Sequence, residues 1–178
     1  MRIISGVHKG RKIQAPKNLP VRPTTGQAKE ALFNILNNNI NISDSVVLEI
    51  FAGTGNISYE FASRGAKNIT SVDINNKCIN FIKSISNEFL FNIKVVKKDA
   101  FKFLNSCDEH FDIIFADPPY NIDNGKYERL ISLIDSKKLL KKDGLIIIEH
   151  SKKISLQNIK KYSESREYGG CCFSFFKL

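Results

Sequence analysis

Cysteine and histidine are scarce in this 178-residue chain, with four and three residues respectively. Cys78 and Cys107 stand alone and Cys171-Cys172 are adjacent, a spacing that makes neither a metal knuckle nor a disulfide framework. His8, His110 and His150 are scattered too, so no metal site is expected. Long apolar runs are also missing: none approaches the roughly 18 residues that cross a bilayer. The start, Met1-Arg2-Ile3-Ile4-Ser5-Gly6, leads into more Lys and Arg where a signal peptide would place an apolar stretch. Repeats and low-complexity linkers are absent as well. These absences together predict one reduced, metal-free, cytoplasmic domain.

What the chain does contain suits a folded protein. Hydrophobic residues make up 42% and charged residues 25%, close to globular averages. At this length a chain buries roughly 70% of its unfolded surface, enough for a core without staples. The formal net charge is +9, and it is unevenly spread. Residues 1–30 hold Arg2, Lys9, Arg11, Lys12, Lys17, Arg22 and Lys29 against Glu30 alone. Such a patch attracts a polyanion, because each neutralised phosphate releases condensed counterions. The plainer alternative is a solvated basic terminus, with any polyanion lying nearer Lys126, Arg129 and Lys152-Lys153.

From residue 44 onward, short β-rich runs alternate with helix-period segments. The expected strands are Ser45–Ile50, Asn68–Asp73, Ile93–Lys97, Phe111–Ala116 and Gly144–Glu149. Cys78-Ile79, Ile82, Ile85 and Phe89 mark the clearest helix between them. This alternation predicts an α/β fold with a parallel sheet and helices on both faces. Ser163–Tyr168 and Cys171–Lys177, joined by Gly169-Gly170, read as a closing hairpin. Upstream, Arg2–Ser5 and Arg11–Gln14 read as a small basic hairpin, and Gly26–Asn38 as a helix. The expected organisation is a single domain, with residues 1–43 an extension and 44–178 the core.

Four elements carry candidate chemistry. Leu48-Glu49-Ile50-Phe51-Ala52-Gly53-Thr54-Gly55 is a strand running into a Gly-x-Gly turn, where the backbone turns tightly beside a ligand. Ser58 stands where a dinucleotide fingerprint wants its third glycine, and Glu49 suits an ammonium group better than a phosphate. Asp73 ends the next strand, placed to accept from a ribose diol. Asp99 ends the third, placed to accept an adenine amino group. Either one alone would read as a helix N-cap. The fourth is Asp117-Pro118-Pro119-Tyr120, after the buried strand Phe111–Ala116. The Asp117 carboxylate and a proline carbonyl can both accept from one exocyclic NH2, while Tyr120 offers a face for stacking a base. Two acceptors on a conjugated amine stabilise the positive charge that builds as a methyl group arrives.

This Asp-Pro-Pro-Tyr motif and the glycine turn resemble the class I S-adenosylmethionine-dependent amino-methyltransferases. Met1–Gly6, Lys9-Gly10-Arg11-Lys12, Arg22-Pro23-Thr24-Thr25, Lys29–Leu36, Phe51–Gly55, Ser63–Ala66 and Tyr168-Gly169 narrow the resemblance to the RsmD family of bacterial 16S ribosomal RNA guanine-N2 methyltransferases. It runs over nearly the whole chain, with Glu49 where the family usually carries Asp. The resemblance implies a Rossmann-like, seven-stranded sheet in the order 3-2-1-4-5-7-6 with the last strand antiparallel. It also implies S-adenosylmethionine as cofactor, bordered by Glu49, Phe51, Gly53, Gly55, Asp73, Ile74, Asp99 and Ala100. Asp117, Pro118, Pro119 and Tyr120 would be catalytic, and Arg2, Lys9, Arg11, Lys12, Arg22 and Thr24 would hold the RNA. The implied partner is 16S ribosomal RNA, naked or in a partly assembled small subunit, with the target base flipped out of its stack. Methylation of adenine N6 or of a protein glutamine, and a dead pocket on a nucleic-acid-binding module, are the rival readings.

Overall fold

Seven strands form one sheet in the order β3-β2-β1-β4-β5-β7-β6. The computed structural model describes residues 1–16, 19, 24–119 and 122–178. After α1 (Gly26–Asn39) and a 3-10 turn (Ile42–Asp44), the core runs β1 (Val46–Ile50), α2 (Asn56–Ser63), β2 (Asn68–Asp73), α3 (Asn76–Glu88) and β3 (Ile93–Lys97). It continues as α4 (Ala100–Asn105), β4 (Phe111–Ala116), α5 (Asn124–Ser136), β5 (Leu140–Ser151), β6 (Tyr162–Tyr168) and β7 (Cys171–Phe176). The first five strands are parallel, whereas β7 runs antiparallel to both β5 and β6. The chain reverses its direction of growth between β1 and β4. That reversal opens a crevice at the carboxyl ends of the strands.

Each strand's alternation sends side chains to two cores. Val47, Ile69, Ile113 and Phe115 pack under Leu32, Phe33 and Leu36 of α1 and Ile57 and Phe61 of α2. Leu48, Ile50, Ile114 and Ile146 pack under Phe103 and Leu104 of α4 and Leu130, Ile131 and Ile134 of α5. Local signals start the helices: Thr25 accepts from Ala28 N–H, and Asn75 accepts from Lys77 and Cys78 N–H, which satisfies otherwise orphan donors. The fifth strand begins at Leu140, earlier than the expected Gly144. A register shift lies between the Phe111–Leu140 and Ile113–Leu145 pairs, and it accommodates the polar Lys141-Lys142-Asp143, whose charge hid the strand start.

The N-terminal segment pairs through one antiparallel bridge, Arg2 with Lys12. Ile3 N–H donates to Arg11 O at 3.0 Å and Ile13 N–H to Met1 O at 2.9 Å. Ile3 and Ile13 are buried against Tyr59, Ile82, Ile85 and Phe89, each such side chain contributing roughly 1.5–3 kcal/mol. Polar contacts fix the docking further. Buried Glu60 accepts from Ile4 N–H at 2.8 Å and Ser5 N–H at 3.0 Å, and it pairs with Lys29 at 3.2 Å and Arg64 at 2.9 Å. A Cβ on Gly6 would lie 1.8 Å from Ser63 O, so only glycine permits this approach. Lys29, counted above with the basic terminus, is 1% exposed and is a structural cation. The Gly-rich turn and the docked segment thus converge on α2.

Candidate active site

The turn after β1 is held in unusual backbone geometry. Phe51, Gly53 and Gly55 have φ of 58°, 54° and 75°. For Phe51 this is the sparsely populated left-handed region, a strain found mostly where a site over-determines it. At Gly55 a Cβ would meet the Tyr59 ring at 2.9 Å. Asp73 locks the turn: its two carboxylate oxygens accept from Gly53 N–H at 2.8 Å and Asn75 N–H at 2.7 Å. An ionised carboxylate has about four acceptor positions, so Asp73 retains capacity for a ligand's hydroxyls.

Glu49 projects from β1 into the protein and is 3% exposed. Its Oε2 accepts from Ser58 N–H at 3.0 Å and from the Ser58 hydroxyl, which also contacts Ser71 Oγ at 2.5 Å. Ser58 is therefore the donor that orients Glu49, a role that its reading as a missing glycine did not reveal. No cation pairs with Glu49 among the described residues. Burial accordingly raises its carboxyl to about 7, against the lowering effect of the Ser58 hydrogen bonds. A buried, uncompensated acid at this position favours a ligand that carries positive charge or donor protons.

A cavity of about 370 Å³ joins these parts, within the range of small-molecule sites. Glu49, Phe51, Gly53, Asp73, Ile74, Asp99, Ala100, Asp117, Pro118 and Pro119 all line it, as does Thr24. Ile74 is 66% exposed, an apolar side chain at the rim that invites a flat apolar partner. Asp99 does act as a helix cap, accepting from Lys102 N–H at 3.0 Å, yet it also lines the cavity. Gly55 does not reach the wall; it starts α2 instead.

Asp117 follows β4 at the other side of the cavity. Its carboxyl is pushed well above the usual carboxylate range, first by burial and then by the negative charges of Glu149 and Glu49. Glu149, buried on β5, accepts from Thr24 Oγ1 at 2.7 Å. Thr24 O in turn accepts from Asn56 Nδ2 at 3.3 Å, and Asn56 Oδ1 accepts from Lys29 Nζ at 2.9 Å. The wall at Thr24 is thereby tied to the docked N-terminal segment. Pro119 O accepts from Ile122 N–H at 2.9 Å, and separately no hydrogen bond reaches the Pro118 carbonyl among the described residues.

Arg2, Lys9, Arg11 and Lys12 are exposed and lie off the cavity wall; the Arg11 guanidinium sits 5.6 Å from the Phe89 ring centroid. Tyr120 and Arg22 lie outside the described residues. Glu149 and the wall residues Asn56, Asn75 and Lys98 went unread as site residues in the sequence, and Ser58 was read only as a missing glycine. Glu149 lay inside an apolar strand run, where its alternation gave no sign of a neighbouring Asp117.

A sheet with this strand order, and a glycine turn and ligand-sized cavity at its carboxyl edge, defines a class I methyltransferase. The family described as Conserved hypothetical protein 95 matches residues 1–177. "Ribosomal RNA small subunit methyltransferase D" of Buchnera aphidicola subsp. Acyrthosiphon pisum is 38% identical, over 86% of this chain and 80% of that protein. The solved structure of yhhF from Escherichia coli is 29% identical, with a TM-score of 0.83 over 99% of this chain and 96% of that one. At fold level alone, magnesium protoporphyrin IX methyltransferase from Synechocystis, solved with bound S-adenosylmethionine, has a TM-score of 0.70 at 13% identity, covering 91% and 89% of the two chains. The chain belongs to the RsmD family.

Proposed function

We propose that this protein transfers a methyl group from S-adenosylmethionine to the N2 amine of a guanine in 16S ribosomal RNA. The observation that carries this reading is the single cavity lined by Glu49, Asp73, Asp99 and Asp117. Glu49 is the penultimate residue of β1, Asp73 ends β2, and Asp99 and Asp117 lie just beyond β3 and β4, Asp117 preceding two prolines. When bound, S-adenosylmethionine supplies an electrophilic methyl on a sulfonium, so the chemistry calls for no metal. Glu49 meets the ammonium of its methionine end, Asp73 the ribose diol and Asp99 the adenine amine, with Phe51, Ile74 and Ala100 against the ring. Buried uncompensated charge at Glu49 and spare acceptor capacity at Asp73 support that fit.

The remaining steps belong to the protein. Asp117 and the Pro118 carbonyl accept the two N–H bonds of the guanine amine and aim its lone pair at the methyl. Methylation of the amine would release one proton, and the ionised Asp117 carboxylate, already accepting an amine N–H, would be placed to take it. Orientation and electrostatics supply most of the rate. Exposed Arg2, Lys9, Arg11 and Lys12 hold the RNA backbone, with residues 1–43 acting as its extension, Thr24 meeting the nucleotide at the wall, and Arg22 and Tyr120 assisting. The reaction takes place in the cytoplasm, on RNA that is naked or within a partly assembled small subunit.

Mass mapping of 16S ribosomal RNA from cells lacking this protein tests the reading. Loss of one N2-methylguanosine is the expected result; unchanged ribosomal RNA modification overturns it. Asp117→Ala should lower turnover on the order of 100-fold or more while calorimetry finds S-adenosylmethionine affinity nearly intact. Equal rates would remove Asp117 from the chemistry.

A further inference from the structure

A second, open groove of about 660 Å³ adjoins the cavity and shares Phe51, Asp99 and Pro119 with it. It runs between α4 and α5, on the opposite face of the sheet from α1 and α2. Its floor is aromatic and aliphatic, from Phe51, Phe101, Ile122 and Leu133, and its rim carries Lys102, Lys126 and Arg129. None of these three cations has an ion pair among the described residues. By contrast, Lys94, Lys141 and Lys152 are each held by a carboxylate. Arg129 lies 5.2 Å from the Phe101 ring centroid, and Phe101 meets Phe51 edge-on at 6.3 Å. A guanidinium parked on a ring keeps its N–H groups available for phosphate. The groove's acid, Asp99, already caps α4 through Oδ1.

Cations over an aromatic floor are what single-stranded nucleic acid requires: phosphates take the charge and a base takes the stack. The shared wall fixes the register. Pro119 is exposed and belongs to both concavities, so a chain entering the cavity with one base passes directly over the groove. We propose that the α4–α5 groove seats the RNA nucleotide flanking the methylated guanine. Its phosphates sit against Lys126, Arg129 and Lys102, and its base lies on the Phe101–Phe51 surface. This inference rests on the RNA reading above and adds a binding surface distinct from the basic N-terminus. The salt bridge of Lys152 to Glu167 at 3.2 Å makes the Lys152-Lys153 surface the weaker rival.

The test compares Lys126→Ala/Arg129→Ala with the equally charged control Lys152→Ala/Lys153→Ala, alongside the wild-type protein. Binding of a single-stranded 12-nucleotide RNA probe is titrated against salt, and methylation of 16S ribosomal RNA is followed in parallel. The groove variant should lose roughly 1.4 from the log–log salt slope, about 0.7 for each single-strand phosphate contact. It should raise KM for RNA while leaving kcat and S-adenosylmethionine affinity unchanged, and the control should match wild type. A wild-type slope in the groove variant, or an equal loss in the control, overturns the inference. A wild-type protein that binds the probe through the groove but methylates no ribosomal RNA sinks the functional reading alone.

Discussion

Glu60 and Glu49 are both buried glutamates beside the same helix, yet their surroundings are opposite. Glu60, on α2, receives two backbone N–H donors and faces the cations Lys29 and Arg64. Glu49, on β1, receives only neutral donors, from Ser58 and the Ile57 backbone, and forms no ion pair among the described residues. One charge is compensated inside the protein, and the other waits for compensation from outside. Both side chains are buried, so the contrast lies in the partners: Glu60 is a latch compensated within the protein, and Glu49 is the acid that a ligand could compensate.

Breaking the latch should give the largest effect. Glu60→Gln leaves buried Lys29 and Arg64 facing a neutral amide, a change expected to cost about 3–5 kcal/mol. Denaturant unfolding measures it, and Glu60→Leu/Lys29→Leu should recover much of the loss, since removing both charges removes the unpaired one. A cost below about 1 kcal/mol for Glu60→Gln would erase the contrast with Glu49.

The pH dependence of stability sharpens the other side. The folded chain holds the Glu49 proton up to about 7, against an ordinary 4.5, so it binds more protons than the unfolded chain between those values. Stability therefore falls as pH rises from about 4.5 to about 7, by on the order of 3 kcal/mol from this group. Asp117, raised for the same reason, adds a fall of the same sign. Glu49→Gln should flatten the fall in denaturation curves taken across this window and leave the part of the Asp117 contribution that burial and Glu149 sustain. An unchanged pH profile would mean that Glu49 is compensated after all.

Much of the fold was legible because the period-2 and period-3.6 patterns are strong where strands are buried on both faces, as in Ile113-Ile114-Phe115 and Leu145–Ile148. The strand order and cofactor class came instead from family resemblance, since no hydrophobic period encodes which strands pair. The acids at the strand ends were readable as types: the topology gathers the carboxyl ends, and Glu49, Asp73, Asp99 and Asp117 all reach one cavity. Long-range partners were not. Nothing local in the sequence tells that Lys29 turns inward to Glu60, 31 positions on, or that Glu149 reaches Thr24, 125 positions back. Local charge density counted Lys29 as surface, and only packing reassigns it.

The smallest effect extends the same rule to a neutral group. The Tyr59 hydroxyl is buried beside Gly55 with no hydrogen-bond partner among the described residues, and burial, then the Glu49 charge, holds its proton more firmly than usual. Its ring stacks on Phe91 at 6.1 Å, a contact that phenylalanine would keep. Removing a buried hydroxyl that has no partner relieves a desolvation penalty, against which stands only a small void. Tyr59→Phe should thus leave stability within about 1 kcal/mol of wild type, on the stabilising side. Thermal unfolding reads this directly. A loss of more than about 1 kcal/mol would move the Tyr59 hydroxyl into the compensated set with Glu60, and the turn at Gly55 would then depend on a hydrogen bond at that position.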